Sequence, residues 1–459
     1  MKYLITAILV VVSFSLLPVC AVAAENQFSV EKVVLVSRHG VRSPTKSNAS
    51  LADYSPRDWP IWPVAPGELT PHGAKLTEAF GRYLRLSYGN QGLLPAEGCP
   101  KTQAVRVWAD VDQRTRASGD ALLTGMFPDC GLRAEYSHPK ADKEPQDQLF
   151  HTTICPMDAE VARKAVLETA GGSMEELTSR YRRPLAALQE ILHYQPASGC
   201  AAGQSACSLD TMPNSLKVGS KGGDISMVGP LAIASTVSEI FLLEYAEGLP
   251  VADVGWGKVA VPSQLSDLLV LHNLKFDLLA RPKYIASHHG TLLLEQVMTA
   301  LNHGADPRND GAPEHLVAFI GHDTNLANLA GMLDLKWHSN EQPDNAAPGA
   351  TFAFELLKEK QSGQYFVRTF LYIQTLEQMH KGSPLDIEHP PIKIALVVSG
   401  CDGGETNLCS LKRFSAVVER VLDKDCLKQA KDIGVESYSR SSTEVTGHMP
   451  ITGRASESP

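Results

Sequence analysis

Two arginines flank a histidine where an apolar stretch near the N-terminus ends. Residues 33–37 run directly into Arg38, His39 and Gly40, and Arg42 follows two residues later. Arginine donates two parallel hydrogen bonds to one oxyanion and stays charged at any relevant pH. Histidine can act as a nucleophile that splits a difficult transfer into two easier steps. The pattern predicts either an ordinary strand meeting a polar loop or an anion site built around a nucleophilic imidazole.

Two further apolar stretches also end in polar clusters. Residues 105–109 are followed by a cluster that includes Arg114, and residues 316–321 are followed by His322 and Asp323. Continuous rather than alternating hydrophobicity indicates strands that are covered on both faces, as in the parallel sheets of α/β proteins. Ligands of such sheets bind beyond the carboxyl ends of the strands. We therefore expect the three clusters to meet at one edge of a sheet.

The residue types in these clusters suit phosphate chemistry without a metal. Such a site needs cations around the nonbridging oxygens, a nucleophile in line and an acid for the leaving oxygen. Arg38, Arg42 and Arg114 are candidates for the cationic clamp, and His322 is a further donor. Arg114 has a simpler alternative role, which is to pair with one of the aspartates beside it.

His39 is the candidate nucleophile and Asp323 the candidate proton donor. The missing side chain of Gly40 would let a phosphate approach closely. Each short pattern alone is weak evidence, because a histidine at a strand end is more often structural. The combination of Arg-His-Gly-x-Arg-x-Pro after a first strand with a later His-Asp after another strand is far more specific.

The remaining pattern predicts an α/β fold with a second, helical part. At 459 residues the chain is long for one compact domain. Helical segments dominate between 158 and 280, at residues 159–169, 174–193, 230–246 and 262–280. We expect a largely parallel sheet flanked by helices, formed by residues 25–155 and 285–430, with an inserted α-helical cap at 156–284. Further strands are predicted at residues 351–357, 365–374 and 393–399, and a helix at 72–88.

The two ends of the chain have distinct compositions. Lys2, an apolar run at residues 3–17 and the small residues at 21–24 are typical of a cleaved secretory signal, residues 1–24. The run is shorter than the roughly 20 residues of a membrane span, so an anchor, or a lipoprotein attached at Cys20, is the weaker interpretation. We expect a periplasmic or secreted protein that leaves the membrane after cleavage. Residues 431–459 are polar and are expected to be disordered.

Charge and cysteines narrow the classes further. A formal net charge of -9 argues against a nucleic-acid binder but permits an anionic substrate in a locally positive cleft. Eight cysteines follow the predicted signal, and an even number in an exported chain predicts disulfides. Cys200–Cys207 and Cys401–Cys409 would close short loops and are the simplest pairs. No zinc site is expected, because the cysteines lack knuckle spacing and the adjacent His288 and His289 diverge on a helix or a strand.

The chain resembles the histidine acid phosphatases, within the phosphoglycerate-mutase-like group, from about residue 28 to residue 426. Arg38-His-Gly-Val-Arg-Ser-Pro44 matches the defining motif of that family, and Gly321-His-Asp-Thr-Asn-Leu-Ala-Asn-Leu329 matches its second motif. Further stretches look like bacterial periplasmic phytases in particular. They are Trp59-Pro-Ile-Trp-Pro63, Leu69-Thr-Pro-His-Gly73, Ala109-Asp-Val-Asp-Gln-Arg-Thr-Arg116, Glu239-Ile-Phe-Leu-Leu243, Gly255-Trp-Gly257 and Gln342-Pro-Asp-Asn345.

The resemblance implies the same α/β fold with a helical cap and assigns roles by position. His39 takes the position of the phosphate-accepting nucleophile, and Asp323 that of the proton donor. Phosphate-binding positions fall on Arg38, Arg42, Arg114 and His322, and substrate-pocket positions on Thr45, Lys46 and Glu239. The implied disulfides are Cys99–Cys130, Cys155–Cys426, Cys200–Cys207 and Cys401–Cys409.

The resemblance also implies an exported acid phosphatase with no metal or organic cofactor and with a small phosphorylated molecule as its partner. Phytate, inositol hexakisphosphate, is the expected substrate because of Thr45 and Lys46 and the run that begins at Thr324. A glucose-1-phosphatase is the nearest alternative, although that branch carries a bulkier residue at the position of Gly40. A mutase fits export and disulfides less well. A non-catalytic binder of phosphorylated ligands would be expected to lose His39 or Asp323. A monomer is the default expectation.

Overall fold

The computed structural model describes residues 27–101, 103–137, 147–151, 153–194, 208–219, 224–259, 262–305, 314–401 and 407–432. The predicted signal (1–24), the Cys200–Cys207 pair and all but two residues of the predicted tail (431–459) lie outside these ranges. None of the helices in the described ranges has the length and hydropathy that a membrane span requires.

Within the described ranges, eight strands form one sheet in the order β10-β8-β7-β1-β6-β2-β3, with β9 also paired to β8, and two more form a hairpin. The strands are β1 (Phe28–Arg38), β2 (Val105–Ala109), β3 (Glu135–Tyr136), β4 (Ser215–Val218), β5 (Ile225–Val228), β6 (Leu316–Gly321), β7 (Thr351–Glu359), β8 (Tyr365–Ile373), β9 (Ile392–Leu396) and β10 (Leu408–Ser410).

Helices connect these strands and build a separate layer. They are α1 (Asn48–Leu51), α2 (Pro71–Asn90), α3 (Gln113–Met126), α4 (Ala159–Ala170), α5 (Met174–Arg180), α6 (Arg182–Leu192), α7 (Pro230–Ala246), α8 (Pro262–Leu279), α9 (Lys283–Ala305), α10 (Asp323–Leu333), α11 (Leu376–Lys381), α12 (Leu411–Val421) and α13 (Lys424–Asp432). A short 3-10 helix spans Val254–Gly257.

The predicted α/β architecture is confirmed. Strands β1, β6, β2 and β3 pair in parallel, and they include the three strands whose polar ends were singled out. Strands β7 to β10 extend the sheet with antiparallel pairs. Strand β7 is buried along most of its length, as the parallel strands are, although its buried residues include Glu355. Its burial alone therefore does not reveal that it pairs antiparallel to β1.

Both faces of the sheet are covered. Alternate residues of a strand point to opposite faces, and Val34 and Val36 of β1 join one hydrophobic cluster while Val33 and Leu35 join another. All four side chains have no exposed surface. Burial on both sides explains why this strand reads as an unbroken apolar run.

A third hydrophobic cluster is formed mainly by the helices between residues 159 and 279. The single helix predicted at 174–193 is two helices, because α5 ends at Arg180 and α6 begins at Arg182. Pro184 lies in the first turn of α6, where its missing N–H is tolerated. In one continuous helix the same residue would lose the bond to the Arg180 carbonyl and clash with it. Pro184 was the feature of the sequence from which the division into two helices could have been predicted.

Three of the four implied disulfides are present in the described residues: Cys99–Cys130, Cys155–Cys426 and Cys401–Cys409. The second joins positions 271 residues apart and ties helix α13 to the segment just before α4. Closing so long a loop restricts the unfolded chain strongly, so this bond is expected to stabilise the fold the most of the three.

A buried carboxyl in α7 should make stability depend on pH. Glu244 is buried and its Oε2 accepts the Gly255 N–H at 2.8 Å. Burial raises the pKa of Glu244 to about 8, so the folded protein keeps this group neutral where the unfolded chain ionises it. Its contribution to stability is therefore complete at low pH and is lost as the pH rises towards 8.

We expect Glu244→Gln to stabilise the protein by about 2–4 kcal/mol at about pH 8 and by less than about 1 kcal/mol at about pH 4. Thermal unfolding of both proteins at the two pH values measures this difference. The exposed change Glu388→Gln is the matched control. An equal effect of Glu244→Gln at both pH values would contradict the burial argument.

Candidate active site

The carboxyl ends of β1, β2 and β6 meet at one edge of the sheet. Arg38 is in register with Gly321, and Ala109 with Ile320. Just past the strands, the His39 N–H donates to the Gly321 carbonyl at 2.9 Å, and the Asp110 N–H donates to the Ile320 carbonyl at 3.0 Å. The three polar clusters are thus fixed side by side by backbone hydrogen bonds.

His39 is held as a neutral imidazole with one free nitrogen. Its Nδ1 lies 2.8 Å from the Gly40 carbonyl oxygen. Because a carbonyl only accepts, Nδ1 carries the proton and Nε2 keeps its lone pair. Burial, followed by the positive charges of Arg38 and Arg42, holds the pKa of His39 well below its usual range. A neutral imidazole in acid is the form that can act as a nucleophile.

Arg38 is fully buried among carboxylates. Its Nη2 lies 2.5 Å from Glu239 Oε1 and 3.1 Å from Asp323 Oδ2, and its Nη1 lies 3.4 Å from Asp344 Oδ2. The Glu239 oxygen also accepts from Arg42 Nη2 at 2.8 Å. Glu239 therefore lies between the two arginines and fixes their guanidinium groups. This role is more specific than the substrate-pocket position that the resemblance implied.

Two of the three carboxylates beside Arg38, Glu239 and Asp323, are ionised. Burial favours the neutral acids, but Arg42 and Arg38 overcome it at Glu239 and lower its pKa to about 2. The same balance holds the pKa of Asp323 well below its usual range, with Arg38 as the main opposing charge and Lys275 as the next. Asp323 thus starts as a carboxylate that pairs with Arg38, so a proton must reach it before it can act as an acid.

Arg114 and His322 are held together on the opposite side. Arg114 Nη2 lies 2.6 Å from Asp112 Oδ2 and 3.4 Å from His322 Nδ1. The other ring nitrogen of His322 lies 2.6 Å from Asp110 Oδ2, which has no exposed surface. Arg114 therefore does pair with a neighbouring aspartate, and it also reaches the site. The same oxygen of Asp110 lies 2.8 Å from His151 Nε2.

Three arginine donors in this cluster are buried without an acceptor among the described residues. They are the Nε atoms of Arg38, Arg42 and Arg114. An unsatisfied buried donor costs about 1–3 kcal/mol, and more when the group is charged. Arginines held by carboxylates with donors to spare indicate a site for an anion with several oxygens.

The site opens into a cavity of about 530 Å³ between the sheet edge and the helical layer. His39, Arg42, Arg114, His322 and Asp323 line it from the sheet side. The helical layer contributes further side chains, which include Thr236, Lys275, Phe276 and His289. Such a cavity is in the size range of small-molecule sites.

Thr45 and Lys46 do not line this cavity. Both are exposed, and Lys46 Nζ lies 5.8 Å from the centre of the Tyr54 ring. Thr45 remains near the site, because its methyl group and Arg114 Nη1 both approach the Cβ position of Gly67 within 4 Å. The contact of Thr45 and Lys46 with substrate therefore stays a prediction, because neither side chain faces the cavity in this structure.

Several residues at the site were not assigned a role from the sequence. Asp344 binds Arg38 across 306 residues and lies in the stretch 342–345, whose similarity was noted without a function. His151 and Lys275 lie in a loop and a helix with no recognisable motif around them, and their residue type was the only signal. His289 was visible only as part of the His288–His289 pair.

Two groups of side chains bring metal-type donors together. They are Asp110, Asp112, His151 and His322, and Glu239, His272 and Asp323. In the first group, Asp110 accepts hydrogen bonds from both histidines. In the second group, both carboxylates pair with Arg38. The carboxylates that a metal would require are thus engaged with histidine N–H or guanidinium groups, whereas Nε2 of His272 has no hydrogen-bond partner among the described residues.

The expectation for Gly40 is wrong. A Cβ atom there would lie 2.7 Å from Thr77 Oγ1, 3.0 Å from Leu69 Cδ1 and 3.1 Å from the Gly73 carbonyl oxygen. Gly40 is therefore required by close packing against the start of α2 rather than by access of a phosphate. Its small size does not indicate how wide the substrate pocket is.

We expect Gly40→Ala to destabilise the protein by about 1–3 kcal/mol because it overpacks this contact. Thermal unfolding measures the loss, and adding Thr77→Ala should recover part of it. Unchanged unfolding combined with weaker binding of inorganic phosphate would instead support a role in phosphate access.

Comparisons with known proteins agree with this geometry. The family described as histidine phosphatase superfamily (branch 2) matches residues 29–372. Phytase AppA of Escherichia coli (strain K12) is 36% identical over 414 residues, which are 88% of this chain and 94% of that protein. A glucose-1-phosphatase of Salmonella typhimurium is 27% identical over 395 residues, 85% of this chain and 92% of that protein.

A solved structure extends the comparison to three dimensions. The Hafnia alvei phytase in complex with myo-inositol hexakis sulphate superposes with a TM-score of 0.78 at 38% identity, covering 87% of this chain and 98% of that one. With the strand order, the arginine cluster around His39 and these matches in agreement, the chain belongs to branch 2 of the histidine phosphatase superfamily.

Proposed function

We propose that this protein is an exported acid phosphatase that hydrolyses phosphate monoesters through a phosphohistidine at His39, with phytate as its preferred substrate. The observation that carries the proposal is the neutral His39, with Nε2 free, which lines a cavity of about 530 Å³ together with Arg42 and Arg114 and has the buried Arg38 beside it. A site with these parts can orient a phosphoryl group and supply its nucleophile.

In the first step, His39 Nε2 attacks phosphorus in line with the leaving oxygen. The phosphorus–nitrogen bond forms as the ester phosphorus–oxygen bond breaks. Arg38, Arg42 and Arg114 stabilise the charge on the three nonbridging oxygens, as fixed donors do best in a site from which water is largely excluded. His322 donates from Nε2 to Asp110 and lies beside Arg114, so only the protonated ring, through Nδ1, is a further donor to the phosphoryl group.

Asp323 supplies the proton to the leaving oxygen. It pairs with Arg38 at 3.1 Å before substrate binds, so an arriving phosphate competes for that guanidinium and brings negative charge close to the carboxylate. Both effects raise the pKa of Asp323 in the complex. Acidic solution favours its protonation, which accounts for an acidic working range. In the second step water attacks phosphorus and the resulting carboxylate takes a proton from that water. The phosphorus–nitrogen bond breaks, which releases inorganic phosphate and restores the neutral His39.

The proposed preference for phytate rests on the additional basic side chains of the cavity and on its volume. Lys275 and His289 line the cavity beyond the arginines, where they can balance further phosphates of a polyanionic substrate. Two phytases, from Escherichia coli and Hafnia alvei, are 36% and 38% identical to this chain. A glucose-1-phosphatase is the second candidate because such an enzyme is 27% identical over most of the chain.

We also propose the organisation that the sequence indicates. Residues 1–24 act as a cleaved export signal, and the mature chain is a periplasmic or secreted monomer. Residues 156–284 form a cap over the α/β domain of residues 25–155 and 285–430. The helical cluster between α4 and α8 supports this division.

Phosphate release from phytate and from glucose-1-phosphate, measured side by side in acidic buffer with EDTA, tests the proposal. Faster release from phytate, as a ratio of kcat/KM, is the expected result. Preference for glucose-1-phosphate would keep the mechanism and overturn the substrate. Ligand-dependent thermal protection without release from either would indicate a binding protein.

A further inference from the structure

A partly exposed histidine shares the buried carboxylate that holds His322. His151 Nε2 lies 2.8 Å from Asp110 Oδ2, and His322 Nε2 lies 2.6 Å from the same oxygen. The two imidazole rings are 5.1 Å apart. Asp110 has no exposed surface, whereas the His151 side chain is 41% exposed and lines the cavity. One edge of the ring is thus anchored and the remainder is open to a ligand.

The segment that carries His151 is fixed to the core of the site. The His151 N–H donates to the Asp147 carbonyl at 2.9 Å, and the Asp147 carboxylate accepts from Trp108 Nε1 at 2.9 Å. The Phe150 carbonyl accepts from Asn325 Nδ2 at 2.9 Å. Strand β2 and helix α10 therefore both hold the imidazole in place, which reduces the entropy lost when it binds a ligand.

Asp110 favours the charged form of His151. Its hydrogen bond raises the pKa of His151 above the usual value, although burial opposes this. The pKa of His39 is shifted in the opposite direction. In acid the site thus combines a neutral nucleophile with an imidazolium on the cavity wall. The charged and titratable groups next to His151 are Asp110, Asp112, Arg114 and His322, and those elsewhere on the cavity are Asp224, Lys275, His289, His39, Arg42 and Asp323.

We propose that His151 is a specificity-determining residue that binds a second phosphate of a polyphosphorylated substrate while the first is held at His39. The His322 ring centre is 5.6 Å from that of His39 and 5.1 Å from that of His151. His151 is anchored to Asp110, whereas His39 is next to Arg38 and Arg42, so the two imidazoles offer separate contacts on the cavity wall. The inference deepens the proposed phosphatase function and rests on it.

The charge of His151 makes this contact sensitive to pH. Because its pKa is raised in the folded protein, the imidazolium is present in acid and is lost as the pH rises through that pKa. Binding of the second phosphate should therefore be strong in acid and weak in alkaline solution. A ligand with one phosphate gains much less from this residue.

Inositol hexakissulfate is a suitable probe, because its sulfate groups keep their charge throughout this pH range and any pH dependence comes from the protein. We would measure its Kd by calorimetry with the full chain and with His151→Gln, whose amide can still donate to Asp110. The expected result is a Kd raised about 10-fold at about pH 5, with a difference below about 2-fold at about pH 8.5. His151→Lys should reduce the pH dependence, and the exposed His338→Gln is the matched control.

Equal affinities of wild type and His151→Gln in acid would overturn the inference, as would an equal loss at both pH values, which indicates a purely structural role. The KM for phytate should rise more than the KM for p-nitrophenyl phosphate. Wild-type turnover of both substrates with unchanged probe binding in His151→Gln would reject this inference alone. Absence of turnover in the wild type would reject the proposed function.

Discussion

Replacing His39 with alanine should lower kcat for phosphate monoesters by at least about 10⁴-fold, the scale seen when the nucleophile of a covalent mechanism is removed. Nε2 of this residue is the free nitrogen of a buried, neutral imidazole, and alanine offers no atom to accept the phosphoryl group. Steady-state phosphate release from phytate and from p-nitrophenyl phosphate measures the loss.

The variant should keep its fold and its phosphate site. Arg38, Arg42 and Glu239 remain in contact without the imidazole, so inorganic phosphate should still raise the temperature of unfolding. His338→Ala changes an exposed histidine and is the matched control. Turnover of His39→Ala within about tenfold of wild type would mean that another group is the nucleophile.

Replacing Asp323 with asparagine should lower kcat for phytate by about 10²–10⁴-fold, the usual contribution of a general acid. The amide has nearly the same shape but cannot protonate an alkoxide. The loss of kcat/KM should be much smaller for p-nitrophenyl phosphate, because p-nitrophenolate leaves without a proton. Comparison of kcat/KM for the two substrates isolates proton donation to the leaving group, because hydrolysis of the phosphohistidine is common to both substrates and affects only kcat.

The same change removes one of three carboxylates around Arg38. Glu239 and Asp344 stay within 3.4 Å of its guanidinium, so folding should survive, and thermal unfolding checks this. Asp334→Asn, at the end of α10, is a matched control on the same helix. Equal losses of kcat/KM on both substrates would indicate that Asp323 positions Arg38 rather than donating a proton.

Much of the site could be predicted because its main residues follow directly from buried strands. The apolar runs of β1, β2 and β6 were visible in the sequence, and parallel pairing brings their ends to one edge. His39, Arg114 and His322 therefore meet with no information beyond strand type and order. Local sequence was sufficient to predict a site residue where the end of a strand alone determines its position.

Contacts made across the chain were not predictable in the same way. Asp344 reaches Arg38 from 306 residues away, and His151 reaches Asp110 from a segment without a motif. Strand β7 is as deeply buried as the parallel strands, so its antiparallel pairing with β1 was not evident from the sequence. These features depend on tertiary packing, which a single sequence does not encode in any short pattern.

Trapping the covalent intermediate tests the phosphohistidine mechanism at His39 most directly. Enzyme mixed with phytate would be quenched within one turnover in alkali, in which a phosphorus–nitrogen bond survives, and its intact mass and peptides would be analysed. We expect one phosphoryl group per chain, on the peptide that contains His39, and none in His39→Ala. Rapid turnover with no phosphorylated chain, or with the phosphoryl group on a different residue, would contradict it.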